Sequence, residues 1–177
     1  MKKTCFLIVC LLVCCSLSAV LYPAKNLGDL EISDIENSYA KEFLSFMERE
    51  GAIDDFFKSY EINNAASSWI VSFWDDTGYG SIAMEFNGVY CYISRSADID
   101  LSDYSLFDIL KSVNNVNLFS HNCGALSYFE IWGDLFYSLA LLTMNSMSPL
   151  DLLSQLLMFH DYSEIYFDKV KEEILGN

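Results

Sequence analysis

Apolar residues along this chain recur with two different periods, and the points where the period changes mark out the elements. Ile35, Tyr39, Phe43 and Phe46 or Met47 fall on one face at helical spacing, which predicts an amphipathic helix. Ser33-Asp34-Ile35-Glu36 reads as its capping box, and Gly51 is placed to end it in a left-handed conformation. Residues Ala52 to Ala66 carry mixed signals: Asp54 to Tyr60 can continue as a helical turn, while Asn63-Asn64 favours a loop. From Ser67 the period falls to two, with Trp69, Val71 and Phe73 on one side and Ile70, Ser72 and Trp74 on the other.

After a glycine- and aspartate-rich turn over Asp75 to Gly80, the strands Ser81 to Phe86 and Val89 to Ser94 meet across Asn87-Gly88, a strong hairpin signal. Pairing Phe86 with Val89, Met84 with Cys91 and Ile82 with Ile93 puts all six on one face, expected beneath helices, and leaves Tyr90 and Tyr92 on the other. Ser102 or Asp103 can cap a second helix with the stripe Leu106, Ile109, Leu110, Val113 and Val116. Leu126 to Trp132 and Leu135 to Met144 read as a second hairpin turning at Gly133-Asp134. Phe129, Ile131, Phe136, Ala140 and Leu142 are expected on its core face, and Tyr128, Glu130, Trp132, Tyr137 and Leu139 on the opposite one. Ser148-Pro149 opens a last helix, proline standing where its missing N–H costs nothing, and the apolar spacing carries it to Leu175.

The expected fold class is therefore α+β, a single domain ordered α-β-β-β-α-β-β-α with one antiparallel sheet packed by helices. That order, with Ser112-Val113-Asn114-Asn115-Val116-Asn117-Leu118 closing the middle helix, resembles the YbjN-like family of bacterial proteins, whose fold is similar to that of type III secretion chaperones. Asn114 and Asn117 match the two asparagines three apart that the family tends to carry there. The resemblance covers about Ile35 to Leu175. It implies a regulator of sensory transduction or, by likeness to the chaperone domains, a dimerising module that binds protein segments. From their own chemistry, Asn114 and Asn117 are structural, tying the helix end to the following loop.

The start of the chain changes the picture. Met1-Lys2-Lys3 is basic, Phe6 to Cys15 is apolar, and Ser16 to Ala19 supplies small residues, the layout of a secretory signal too short to span a bilayer. The expected organisation is a signal peptide over 1–19, an N-terminal tether over 20–32 and the domain over 33–177, in a periplasmic or secreted protein. Cleavage removes four cysteines and leaves Cys91 and Cys123, which can form one disulfide or stay free. The formal charge is −15, or −17 once Lys2 and Lys3 are lost. Such a surface repels nucleic acid and anionic lipid. With 53% hydrophobic and 15% aromatic residues the chain is too apolar to be disordered.

Chemistry is thinly signalled. His121 and Cys123 sit two apart in a polar loop, short of a zinc ligand set, and Asp54-Asp55 and Asp75-Asp76 belong to no spaced ligand series. His160 falls among leucines and reads as a satisfied, partly buried histidine. Gly78-Tyr79-Gly80 does not lead into a helix as a phosphate-binding loop would. The leading expectation is an exported, non-enzymatic, cofactor-free protein-binding module, chaperone-like or regulatory, that meets itself or a protein partner through Tyr90, Tyr92, Tyr128, Trp132 and Tyr137. One alternative is a hydrolytic or metal-dependent envelope enzyme using Asp75, Asp76, His121 and Cys123. Another is a structural envelope component with no discrete site.

Overall fold

In the computed structural model, residues 24–65, 67–88, 90–119, 124–142 and 147–176 are described. Seven strands and four helices follow one another as β1 (Lys25–Asn26), α1 (Ser38–Arg49), α2 (Ala52–Phe56), β2 (Ser59–Ala65), β3 (Ser68–Trp74), β4 (Ile82–Asn87), β5 (Tyr90–Ser96), α3 (Leu106–Phe119), β6 (Ala125–Phe129), β7 (Asp134–Leu142) and α4 (Pro149–Leu175), with a 3-10 turn over Ile32–Asp34. The strands form a single sheet in the order β1-β2-β3-β4-β5-β7-β6. All neighbours run antiparallel except β1 and β2, so the sheet is mixed and the class is single-domain α+β.

Two strands exceed the sequence expectation. β2 arises from the ambiguous stretch, where Tyr60 and Ile62 turn inward although Asn63 and Asn64 dilute the apolar signal. β1 comes from the segment read as a tether: Lys25 and Asn26 pair with Ser59 and Tyr60, and Ile32 is buried in the core. The first helix is also capped later than Ser33 suggests. Asn37 accepts the Ala40 N–H at 2.9 Å, while Glu31 and Asp34 form a capping box around the preceding 3-10 turn. Gly51 does adopt the left-handed conformation, φ +74°, and leads directly into α2. The middle helix is capped by Ser105, whose hydroxyl accepts the Asp108 N–H, rather than by Ser102 or Asp103.

The first hairpin keeps the expected faces with its register moved by two residues, since Asn87 pairs Tyr90, Phe86 pairs Cys91, Met84 pairs Ile93 and Ile82 pairs Arg95. A two-residue slip preserves side-chain direction, so Ile82, Met84, Phe86, Cys91 and Ile93 are all buried; Val89 lies outside the described residues. The second hairpin is inverted. Its turn spans four residues, with Phe129 opposite Asp134, and Leu126, Leu135 and Tyr137 face the core while Ile131 is 94% exposed. Moving the turn from 133–134 to 130–133 shifts the pairing by four residues, which leaves unchanged which residues share a face. The difference lies in which face meets the helices: Leu126 and Tyr128 side with the core, and the more apolar-looking set of Phe129 and Ile131 faces out.

Helices cover one face. α1 sets Phe43 against Phe86 on β4, and α4 sets Phe159 against Tyr137 on β7. α3 lies beside α4 and β6, burying Ile109, Val113 and Val116 while Leu106 and Leu110 of the expected stripe stay exposed. Asn117 joins α3 to β6 by holding both the N–H and the carbonyl of Leu126, at 2.9 and 3.0 Å. Asn114 is exposed. α4 starts with a reciprocal Ser148–Asp151 box and Pro149 in its first turn, and runs unbroken to Leu175. Among the described residues no helix is long and apolar enough to cross a membrane.

Because Met84 is fully buried and Ile131 stands on an exposed turn, Met84→Ala is expected to cost roughly 2–5 kcal/mol of stability. Ile131→Ala is expected to change stability by no more than about 0.5 kcal/mol. Denaturant midpoints of the two variants, compared with the parent chain, check the inverted hairpin directly.

Candidate functional site

Strand alternation places Arg95 on the inward face of β5, after Cys91 and Ile93, where its side chain is wholly buried. A buried guanidinium is tolerated only when its donors are met. Nε donates to the Gly80 carbonyl at 3.0 Å and Nη1 to the Ser163 hydroxyl at 3.2 Å. Nη2 donates to Asp75 Oδ2 at 2.6 Å and to Thr77 Oγ1 at 2.5 Å. The loop leaving β3 is thereby pinned over the end of β5 and against α4.

Asp75 is the centre of this loop. Its Oδ1 accepts the backbone N–H and the hydroxyl of Thr77 at 3.0 and 2.6 Å, which fixes the carboxylate plane. Its Oδ2 lies 3.0 Å from Nε2 of His160 on α4. One turn further along α4, Glu164 places Oε1 at 3.2 Å from the same Nε2 and 3.6 Å from Arg95 Nη1. That oxygen is shut off from solvent yet accepts no well-directed hydrogen bond. It stands within ion-pair distance of Nε2 but off the line of its N–H. Nδ1 of His160 faces Asp161 at 3.0 Å.

Burial works to raise the Asp75 pKa and is the largest single influence. The bonds from His160 and Thr77 and the Arg95 charge together outweigh it and hold the group well below the usual carboxylate range. His160 is raised, first by its bond to Asp75, against the opposing effect of burial, and then by Asp161 and Glu164. Beside this cluster, Tyr79 donates to Asp168 and accepts from Lys171 Nζ at 3.1 Å. Burial, followed by Asp168, pushes the Tyr79 phenol above its ordinary value.

Oδ2 of Asp75, Nε2 of His160 and Oε1 of Glu164 are one nitrogen and two oxygen donors whose ligand atoms all lie within 4.8 Å of one another. The His160-x3-Glu164 spacing puts two donors on one helical face, and the loop carries the third to meet them. Three protein ligands are the number that a catalytic metal site uses when a further position is left for water. The flank of the cluster reaches the surface, the His160 and Glu164 side chains being 21% and 29% exposed, while the facing oxygen of Glu164 is itself shut off from solvent.

This cluster overturns the strictly non-enzymatic, cofactor-free protein-binding reading, and the chaperone-like description goes with it. The enzyme alternative survives in class but not in its residues. Only Asp75 belongs to the site; Asp76 points outward and pairs with Lys58. His121 and Cys123 lie outside the described residues, as does any judgement on a Cys91–Cys123 bridge. Cys91 itself is buried, which pushes its thiol up to about 12. Of the aromatic set, Tyr90, Tyr92 and Trp132 are exposed, Tyr128 packs partly against the core, and Tyr137 is fully buried. Tyr137 therefore belongs to the interior and not to an accessible face. Arg95 and Glu164 carried no sequence assignment, although a charge at an inward strand position and a histidine four residues before a glutamate are the signals that would have raised them.

No family model, curated protein or solved structure matches the chain. Function therefore rests on the site.

The raised His160 pKa stabilises the metal-free fold fully below the unfolded histidine value of about 6.5, and that contribution is lost as pH rises through the folded value. The depressed Asp75 works in the other direction: its contribution is present above the ordinary aspartate value of 3.8 and is lost as pH falls through the folded value. In chelator-treated protein the urea midpoint of the parent chain is expected to fall between pH 5.5 and 8.5, whereas His160→Gln is expected to show a smaller fall. Asp75→Ala, which leaves the buried guanidinium without its carboxylate, is expected to cost roughly 3–5 kcal/mol at neutral pH.

Proposed function

We propose that Asp75, His160 and Glu164 bind one divalent transition-metal ion and that the protein uses it in metal-assisted hydrolysis. The observation that carries this reading is the pair of separations around Nε2, 3.0 Å to Asp75 Oδ2 and 3.2 Å to Glu164 Oε1. Ligands that share an ion at about 2.0–2.2 Å stand about 3 Å apart when they occupy adjacent coordination positions. The donor set, one imidazole and two carboxylates, suits zinc or manganese. When bound, such an ion would lower the pKa of a coordinated water enough to furnish hydroxide near neutral pH.

The chain's own residues support that chemistry in definite ways. Thr77 and Arg95 fix the Asp75 carboxylate before any ion arrives, the outer-shell support that ligating carboxylates require. Asp161 accepts at Nδ1 and so orients the ring with Nε2 toward the carboxylates. Arg95 also competes with an ion for Asp75, so affinity is expected to be moderate. Because a ligating imidazole must be neutral and His160 is raised by Asp75, binding is expected to strengthen as pH rises and to release a proton.

Calorimetric titration of the full chain with Zn²⁺ is expected to show one saturable site that tightens from pH 5.5 to pH 7.5. Glu164→Gln is expected to weaken it at least tenfold with little change in melting temperature. No binding, or binding unaffected by Glu164→Gln and His160→Gln, would count against the site. Two further proposals rest on the sequence. The finer fold identity, YbjN-like with a secretion-chaperone-like fold, draws its support from the Asn114 and Asn117 spacing and from the order of the elements, to which α2 and β2 are additions, and concerns fold alone. Export is supported by the basic, apolar and small residues of Met1 to Ala19; N-terminal sequencing of mature material is expected to begin at Ala19 or Val20, and an intact Met1 in membranes would contradict it.

A further inference from the structure

The β6–β7 hairpin stands at one edge of the sheet, and its end is apolar where a solvated turn is ordinarily polar. β5 leaves the sheet at Ser96, opposite Phe136, so the hairpin runs on past it through Leu135 and Asp134 into the four-residue turn Glu130-Ile131-Trp132-Gly133. The Phe129 carbonyl accepts the N–H groups of Trp132 and Gly133 at 3.0 and 2.9 Å, and Gly133 takes the left-handed conformation that closes the turn. With the backbone so satisfied, Ile131 forms the exposed apex, Trp132 is 67% exposed and Phe129 45%. Trp132 packs on Phe129 and Phe136 with ring centroids 5.2 and 5.5 Å away, and those two rings lie 5.2 Å apart. The three rings hold one another in place, so presenting them to a partner costs little side-chain entropy.

The size of this tip and the charges beside it decide what it fits. At roughly 150–250 Å² for a large side chain, the exposed parts of Phe129, Ile131 and Trp132 come to about 400 Å², half the ~800 Å² per partner of a standard protein interface. A convex tip of that size meets a rigid, flat partner only at its apex, whereas a lipid–water interface deforms around it, and tryptophan favours the headgroup level of a bilayer. Carboxylates flank the tip: Glu130 in the turn, Asp134 below it, and Asp98, whose N–H donates to Asp134 Oδ2 at 3.2 Å. From Ser96 to Asp168 the sequence holds one lysine, Lys111, and no arginine, so this acidic collar has few cations near it in sequence.

An apolar apex inside an acidic collar is the complement of a zwitterionic lipid surface, where positively charged ammonium groups stand outermost and hydrocarbon lies beneath. Quaternary ammonium groups are also drawn to aromatic faces such as that of Trp132. Anionic headgroups are repelled by the same collar on a chain of charge −15. We infer that the tip of the β6–β7 hairpin docks on a zwitterionic phospholipid bilayer, Ile131 and Trp132 entering the headgroup layer while Glu130 and Asp98 stay among the ammonium groups. A patch of this size gives shallow, reversible association rather than stable anchoring. The tip shares no residue with the metal cluster and its role does not rest on that site.

The test mixes the full chain with phosphatidylcholine vesicles, with and without brominated acyl chains, and separately with phosphatidylglycerol vesicles. Because the apolar run Phe6 to Cys15 can itself hold a chain on lipid, the readout is local: tryptophan emission, to which Trp132 contributes from the surface, Trp69 from the core and Trp74 from a half-buried position. The expected result is a blue shift with phosphatidylcholine and quenching by its brominated form, both lost in Trp132→Phe and neither produced by phosphatidylglycerol. Ile131→Ser is expected to need at least tenfold more lipid for the same shift, at an unchanged melting temperature. Absence of a shift with phosphatidylcholine, an equal shift in Trp132→Phe, an equal response to phosphatidylglycerol, or Ile131→Ser matching the parent would overturn the inference. So would a blue shift that grows with protein concentration in the absence of lipid, with a dimer in sedimentation, which would assign the tip to a second copy of the chain.

Discussion

One buried cation organises the region that matters most in this fold. Arg95 stands where strand alternation demands an apolar side chain, so its guanidinium must be met by partners brought from elsewhere in the chain. The loop after β3 supplies Asp75, Thr77 and the Gly80 carbonyl, and α4 supplies Ser163. Gly80 can lie so close to β5 only because it lacks a side chain: a Cβ there would sit 2.0 Å from Ser96 Oγ. The geometry of the candidate site is thus a consequence of neutralising Arg95. His160 and Glu164 share the α4 face that Ser163 anchors, and Asp75 is carried to them by the same contacts.

The charges of the cluster also set what it can do. With Nε2 protonated, Arg95 and His160 balance the two carboxylates, and the imidazolium proton occupies the space an ion would take. Exchanging that proton for a dication leaves the site one charge more positive, beside a guanidinium that cannot deprotonate. As proposed, the site would be a regulated and moderate metal binder rather than a structural one, with its occupancy coupled to pH through His160. Nothing local sets His160 apart in the sequence, where it stands among leucines; both its ring nitrogens face carboxylates, Asp75 and Asp161, and only the protonated ring donates to both.

Legibility followed the strength of local signals. α4 was readable because Ser148-Pro149 fixes its start, and β3, β4 and β5 because alternation and Asn87-Gly88 fix their faces even when the register moves by two. The second hairpin was misread because Ile131 and Trp132 lie in a four-residue turn and Phe129 at the exposed strand end beside it, where apolarity reflects neither burial nor period. β1 and β2 were missed because one is two residues long and the other ends in polar residues facing solvent. The metal donors were half legible. Asp75 and His160 were noticed singly, but their meeting depends on Arg95, and no spacing in the sequence announces a contact between residues 75 and 160.

The most direct measurement is anomalous diffraction from crystals of the full chain grown with Zn²⁺. The account predicts one ion bonded to His160 Nε2 and to Asp75 and Glu164 carboxylate oxygens, with Arg95 still held by Asp75 and Ser163. An ion bound elsewhere, or a cluster in which Nε2 keeps its 3.0 Å contact with Asp75 in the presence of saturating zinc, would contradict it.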